Sequence, residues 1–126
     1  MTRYEITLRG ETPSKKNSRI NTKSGRSFPS AAYAHWHLNA LCQISRWERA
    51  GKIAPIAKSK CVKLTVTFYH GDKKRRDSDN QLSSILDTLV DAGILADDCW
   101  QCVPCKMVFD EYDKNNARAE ISLEAE

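Results

Sequence analysis

Residues 61–93 read CVKLTVTFYHGDKKRRDSDNQLSSILDTLVDAG, and the spacing of their apolar residues changes half-way along. Val62, Leu64, Val66 and Phe68 alternate with other residues, so they line one face of a β-strand. Leu82, Ile85, Leu86, Leu89 and Val90 recur at helical spacing. They predict a helix capped by Asp79 and closed by Gly93 at its C′ position. Between strand and helix the chain places Lys73, Lys74, Arg75 and Arg76 against Asp77 and Asp79.

Working outward, residues 3–9 alternate Tyr4, Ile6 and Leu8 with polar neighbours and predict a half-buried strand. Ser30 caps a second helix that Gly51 ends, with Tyr33, Leu41, Ile44 and Trp47 on one face. Two more strands fit near 101–110 and 117–124, joined by a turn at "DKNN". The order β-α-β-α-β-β predicts one α+β (mixed α/β) domain over residues 1–126, a small mixed sheet packed with two helices. Residues 10–29 carry no periodicity and read as a basic loop containing Lys15, Lys16 and Arg19. No internal repeat is present.

The chain has 126 residues, 40% of them hydrophobic, which suits one globular domain. No apolar run reaches the length of a membrane span, and the alternating, charged N-terminus does not read as a signal peptide. A cytoplasmic location is expected, with the five cysteines as reduced thiols. The net charge of +4 conceals an asymmetry: residues 1–76 hold 17 Lys/Arg against 4 Asp/Glu, and residues 77–126 hold 3 against 12. A basic half fits a polyanionic partner.

Asp77 and Asp79 stand where a turn into a helix brings two carboxylates to one side. Such a pair resists ionisation unless a cation neutralises it, and Mg²⁺ does so with oxygen ligands while keeping waters. A third carboxylate has to come from elsewhere. Asp87 and Asp91 lie two and three turns along the helix, whereas the segment from Gly93 to Asp98 is long enough to fold back and deliver Asp97 or Asp98. The cations at 73–76 would hold a phosphate backbone beside such a centre. These residues alone reach a metal-dependent phosphodiesterase and no further.

The segment "RRDSDNQLSSILDTLVDAGILADD", residues 75–98, resembles the RusA family of Holliday-junction resolvases. The shared features are the Arg-rich lead, Asp77-x-Asp79-Asn80, Asp87, Gly93 and the pair Asp97-Asp98. "ITLRGETPSKKNSR" and "NARAEISLE" are similar to that family's first strand with its following loop and to its last strand. The resemblance implies a homodimeric, Mg²⁺-dependent endonuclease of bacteria or phages, with Mn²⁺ able to substitute. Such an enzyme cuts four-way DNA by paired symmetric nicks in recombination and repair. It further implies that Asp77, Asp79 and Asp98 hold metal and are catalytic. Lys15, Lys16, Arg19 and residues 73–76 would contact DNA, with Asn80, Asp97 and Lys106 around the centre. Where the family commonly carries a helical lysine this chain has Ser83, for which Lys106 or the 73–76 run would have to substitute. A protein that binds branched DNA without cutting it is the alternative.

Cys99, Cys102 and Cys105 follow C-x₂-C-x₂-C spacing, but the sequence offers no fourth ligand after them, so thiols without zinc are expected. On a strand, Cys105 would join Val103, Met107 and Phe109 on an apolar face. His35 and His37 point in different directions on a helix and are not expected to share a metal. Trp36 and Trp47 read as core or interface. Trp100, just past the carboxylates, is a candidate wedge for an opened junction. His70 ends the strand before the charged run, where it either supports the site or is merely exposed.

Overall fold

The computed structural model describes residues 1–14, 19–21, 23–25 and 27–126, with backbone only for 19–21 and 27–29. Eight elements follow in order: β1 (Thr2–Arg9), β2 (Arg19–Asn21), β3 (Ser27–Pro29), α1 (Ala31–Arg49), β4 (Val62–His70), α2 (Ser78–Asp91), β5 (Cys105–Tyr112) and β6 (Arg118–Ala125). The main sheet has the order β1-β6-β4-β5, with only the β4–β5 pair parallel. Fold class and element order agree with the sequence-based expectation. The stretch expected to lack structure contains, in addition, the short antiparallel ribbon β2–β3.

One face of the sheet is buried: Ile6 and Leu8 of β1, Val62, Leu64, Val66 and Phe68 of β4, and Ala119, Ile121 and Leu123 of β6. The helices supply Tyr33, Trp36, Ala40 and Ile44 from α1 and Ile85, Leu86 and Leu89 from α2. Both helices therefore cover that face. Fully burying an aliphatic or Phe side chain contributes about 1.5–3 kcal/mol, so this layer supplies most of the favourable free energy. His37 ties the helices together, its Nδ1 2.9 Å from Thr88 Oγ1 and its Nε2 3.0 Å from an Asp91 carboxylate oxygen. His35, two residues away, faces elsewhere.

Capping explains the helix ends. The Ser30 hydroxyl accepts the Tyr33 N–H at 3.2 Å, as its position predicts. Gly93 adopts φ +78°, the left-handed region that closes α2 and turns the chain toward β5.

The parallel pairing of β4 and β5 decides where the site residues lie. Helix α2 starts at the C-terminal end of β4 and must carry the chain back to the other end of the sheet before β5 begins. Ile94 and Leu95 donate to Leu89 O, and Val62 N–H donates to Cys102 O at 2.8 Å. Residues 94–103 thus sit at the N-terminal end of β4. Parallel register aligns Val108 with Val66 and Asp110 with Phe68, turning them to the buried side. Met107 and Phe109 consequently face outward and are 39% and 48% exposed, which corrects the expected apolar face. Val103 precedes the strand and is buried separately.

Candidate active site

Asp77, not Asp79, is the N-cap of α2. It has extended backbone dihedrals (φ −109°, ψ 103°), and its carboxylate accepts the Asp79 N–H at 3.3 Å. The segment Asp-Ser-Asp offers two suitable caps, and the helix starts at the earlier one. Asp79 then lies in the first turn, where the helix dipole favours negative charge. The Asn80 side-chain amide reaches the second Asp77 oxygen at 3.4 Å, so Asn80 supports the carboxylate directly. Both aspartates are exposed.

Asp77 opens onto a cleft of about 390 Å³ whose walls are Glu11–Ser14 on one side and Arg75, Arg76 and Gln81 on the other. The early segment is pinned to α2. Gln81 Nε2 donates to Thr12 O at 2.7 Å, and Ser84 Oγ donates to Pro13 O at 2.6 Å. The four cations divide into two groups. Lys73, Lys74 and Arg75 are exposed, whereas Arg76 is held by Asp72 at 2.7 Å and by Glu11 at 3.3 Å. The hydrogen bond from Arg76, joined by the Lys74 N–H, lowers the Asp72 pKa to about 2. Lys73 is also engaged, its ammonium 5.0 Å from the centre of the Tyr112 ring.

Beneath the cleft His70 bridges two carboxylates, with Nδ1 2.9 Å from Glu11 and Nε2 2.8 Å from Asp110. Asp110 in turn accepts from the Ser78 hydroxyl at 2.6 Å. Burial of the ring opposes its charge, but the hydrogen bonds to Asp110 and Glu11 outweigh burial and raise the His70 pKa. His70 is thus a supporting group, joining the early segment, β4, β5 and the start of α2. Glu11 and Asp110 escaped the sequence reading because no local pattern marks partners so distant in the chain.

The remaining candidates lie elsewhere. Asp97 and Asp98 are exposed at the opposite end of the sheet, and the segment after Gly93 does not fold back to Asp77. The nine residues of β4 separate its ends by about 26–30 Å. Lys106 pairs with Leu64, near the Asp98 end, so it does not replace a lysine at position 83 within one chain. Ser83 sits one turn beyond Asp79, and its hydroxyl donates to Asp79 O at 3.3 Å. Lys15 and Lys16 fall outside the described residues, as does the Arg19 side chain. Cys102 is buried, Cys99 and Cys105 half-buried, and Cys42 and Cys61 exposed. Among the described residues no three His, Cys, Asp or Glu side chains gather into a metal-holding group.

Comparison with known families settles the lineage. The family model for endodeoxyribonuclease RusA matches residues 10–124. The chain belongs to the RusA family. RusA proteins are endonucleases that resolve Holliday junctions and generally depend on a divalent metal, so branched DNA is the family's substrate. No curated protein matches the chain. No helix among the described residues is long and apolar enough to cross a membrane.

Proposed function

We propose that this chain is a Mg²⁺-dependent Holliday-junction endonuclease that acts as a homodimer, each centre combining Asp77 and Asp79 of one subunit with Asp98 of the other. The observation that carries the proposal is the exposed pair Asp77 and Asp79 at the start of α2, with Asp77 lining the cleft that Arg75 also walls. Family membership supplies the substrate class.

The residues fit a hard divalent ion: two exposed carboxylates offer oxygen donors only, and Mg²⁺ is usually held by one or two carboxylates, waters and substrate phosphate. When bound, the ion polarises the scissile phosphate and lowers the pKa of a bound water. The chain's own residues do the remainder. Asn80 and the Asp79 N–H fix the Asp77 carboxylate, which leaves it little freedom to swing away. Arg75, exposed in the wall of the cleft, draws in the DNA backbone. Arg76 acts through Glu11 and Asp72 to hold the wall itself.

The shared centre is proposed because Asp98 lies too far from Asp77 in one chain; in the proposed two-fold dimer the partner's Asp98 end would meet the first subunit's cleft. The same step would bring the partner's Lys106 toward the position that Ser83 leaves without charge.

A subunit-mixing assay tests this. Asp79→Asn and Asp98→Asn are each expected to lose Mg²⁺-dependent nicking of a synthetic four-way junction. Mixed and refolded together, they regain activity, because one centre of the mixed dimer has every carboxylate. Recovery absent from mixtures of proven heterodimers excludes the shared centre. Tight junction binding by wild type with no nicking in Mg²⁺ or Mn²⁺ favours instead the non-cutting binder that Ser83 suggests.

A further inference from the structure

A second depression, of about 730 Å³, lies between the free edge of β1 and helix α1, away from α2. Its helical wall carries His35, Trp36, Asn39, Gln43, Arg46 and Trp47, which recur every three or four residues and form one stripe. The opposite wall is the end of β1, where Arg9 N–H donates to Gln43 Oε1 at 2.9 Å and fixes strand to helix. Among the described residues no Asp or Glu lines this groove. Among the described residues neither the Arg9 nor the Arg46 guanidinium has an ion-pair partner, whereas Arg3, Arg76 and Arg118 are each paired to carboxylates. Two unneutralised guanidinium groups thus sit among two indoles and an exposed imidazole.

We propose that this groove binds single-stranded DNA, with phosphates on Arg9 and Arg46 and bases against the aromatic wall of Trp47 and His35. Cationic grooves with aromatic platforms hold single strands without sequence preference, because every base has a stackable face. Arg adds cation–π attraction to the same faces. The groove's position also connects it to the cleft, since Arg9 and Gly10 line the groove and the next residue, Glu11, lines the cleft. On the proposal, a strand unpaired near Asp77 would pass by Gly10 to reach the groove. The inference extends the nucleic-acid reading of the cleft, yet it requires no cleavage.

The test uses a fluorescein-labelled twelve-nucleotide oligothymidine and the full chain in EDTA, read by anisotropy across a salt series. Wild type is expected to bind, and the double variant Arg9→Gln/Arg46→Gln to bind at least ten-fold more weakly. Its salt slope should fall by about 1.4, at about 0.7 per released single-strand phosphate contact. Thermal melting checks that the double variant is folded. In a Trp100→Phe background, quenching by the oligomer reports on Trp36 and Trp47 alone. Unchanged affinity and slope in the double variant, no binding by wild type, or an equal loss on a duplex of the same length would overturn the proposal. Junction nicking measured on the same proteins keeps the two readings apart, since loss of nicking with intact oligomer binding leaves the groove standing.

Discussion

His70 Nδ1 lies 2.9 Å from a carboxylate oxygen of Glu11, although 59 residues separate them in the chain. The far side of the same ring holds Asp110, so one imidazole at the end of β4 fastens the segment leading into the cleft to the edge strand β5. Two carboxylates can be satisfied together only by a ring carrying both protons.

This makes the fastening pH-dependent. The folded-state pKa of His70 is raised, so its stabilisation is fully present below the ordinary histidine value and is lost as pH rises through the folded value. Glu11 and Asp110 face the ring directly, and Arg76 approaches through Glu11. His70→Phe is expected to lose about 1.5–3 kcal/mol at pH 6, the range for charged hydrogen bonds, and less at pH 9. Urea unfolding of both proteins at the two pH values measures the difference.

Asp77 has two separable roles. Asp77→Ala removes a helix cap and should cost about 1 kcal/mol of stability, as well as the proposed metal-dependent nicking. Asp77→Asn keeps an acceptor for the Asp79 N–H, so its melting temperature should stay near wild type while nicking is still lost. Equal destabilisation by both substitutions would show that the charge, rather than the cap, holds the helix start.

Arg75 and Arg76 are adjacent but should behave differently. Arg75→Gln is expected to weaken junction binding about uniformly across sequences and to reduce the salt slope by about 1, without loss of stability. Arg76→Gln frees Asp72 and Glu11, so it should lower the melting temperature and increase hydrogen exchange at residues 72–76. Parallel binding and melting measurements separate the two.

Position 83 can be supplied with the missing charge. Ser83 is half-buried one turn beyond Asp79, and the serine back-bond it makes stabilises helices little. Ser83→Lys is expected to raise the single-turnover nicking rate about ten-fold or more, since one well-placed donor is worth about 10²–10³-fold in comparable sites. A rate that stays level would mean that another cation already fills this role.

The strand and helix of residues 61–93 were legible because alternation and helical spacing differ sharply within one short stretch. Ser30 and Gly51 likewise marked α1 correctly. The true cap of α2 was less legible, because Asp77 and Asp79 have the same capping chemistry. Alternation separated Val108 from Met107 and Phe109, but only register with β4 showed which side faces inward. The place of Asp98 was illegible for a related reason: six residues can fold back or continue onward, and parallel pairing with a distant strand decides between them.

That crossover has a consequence for the cell. It places Asp77 at one pole of the sheet and Asp98 at the other, so on the proposed arrangement a lone chain holds two halves of different centres and cuts nothing. Well below the dimer's dissociation constant, nicking should rise with the square of protein concentration. Dilution alone would then be enough to silence the proposed cutting.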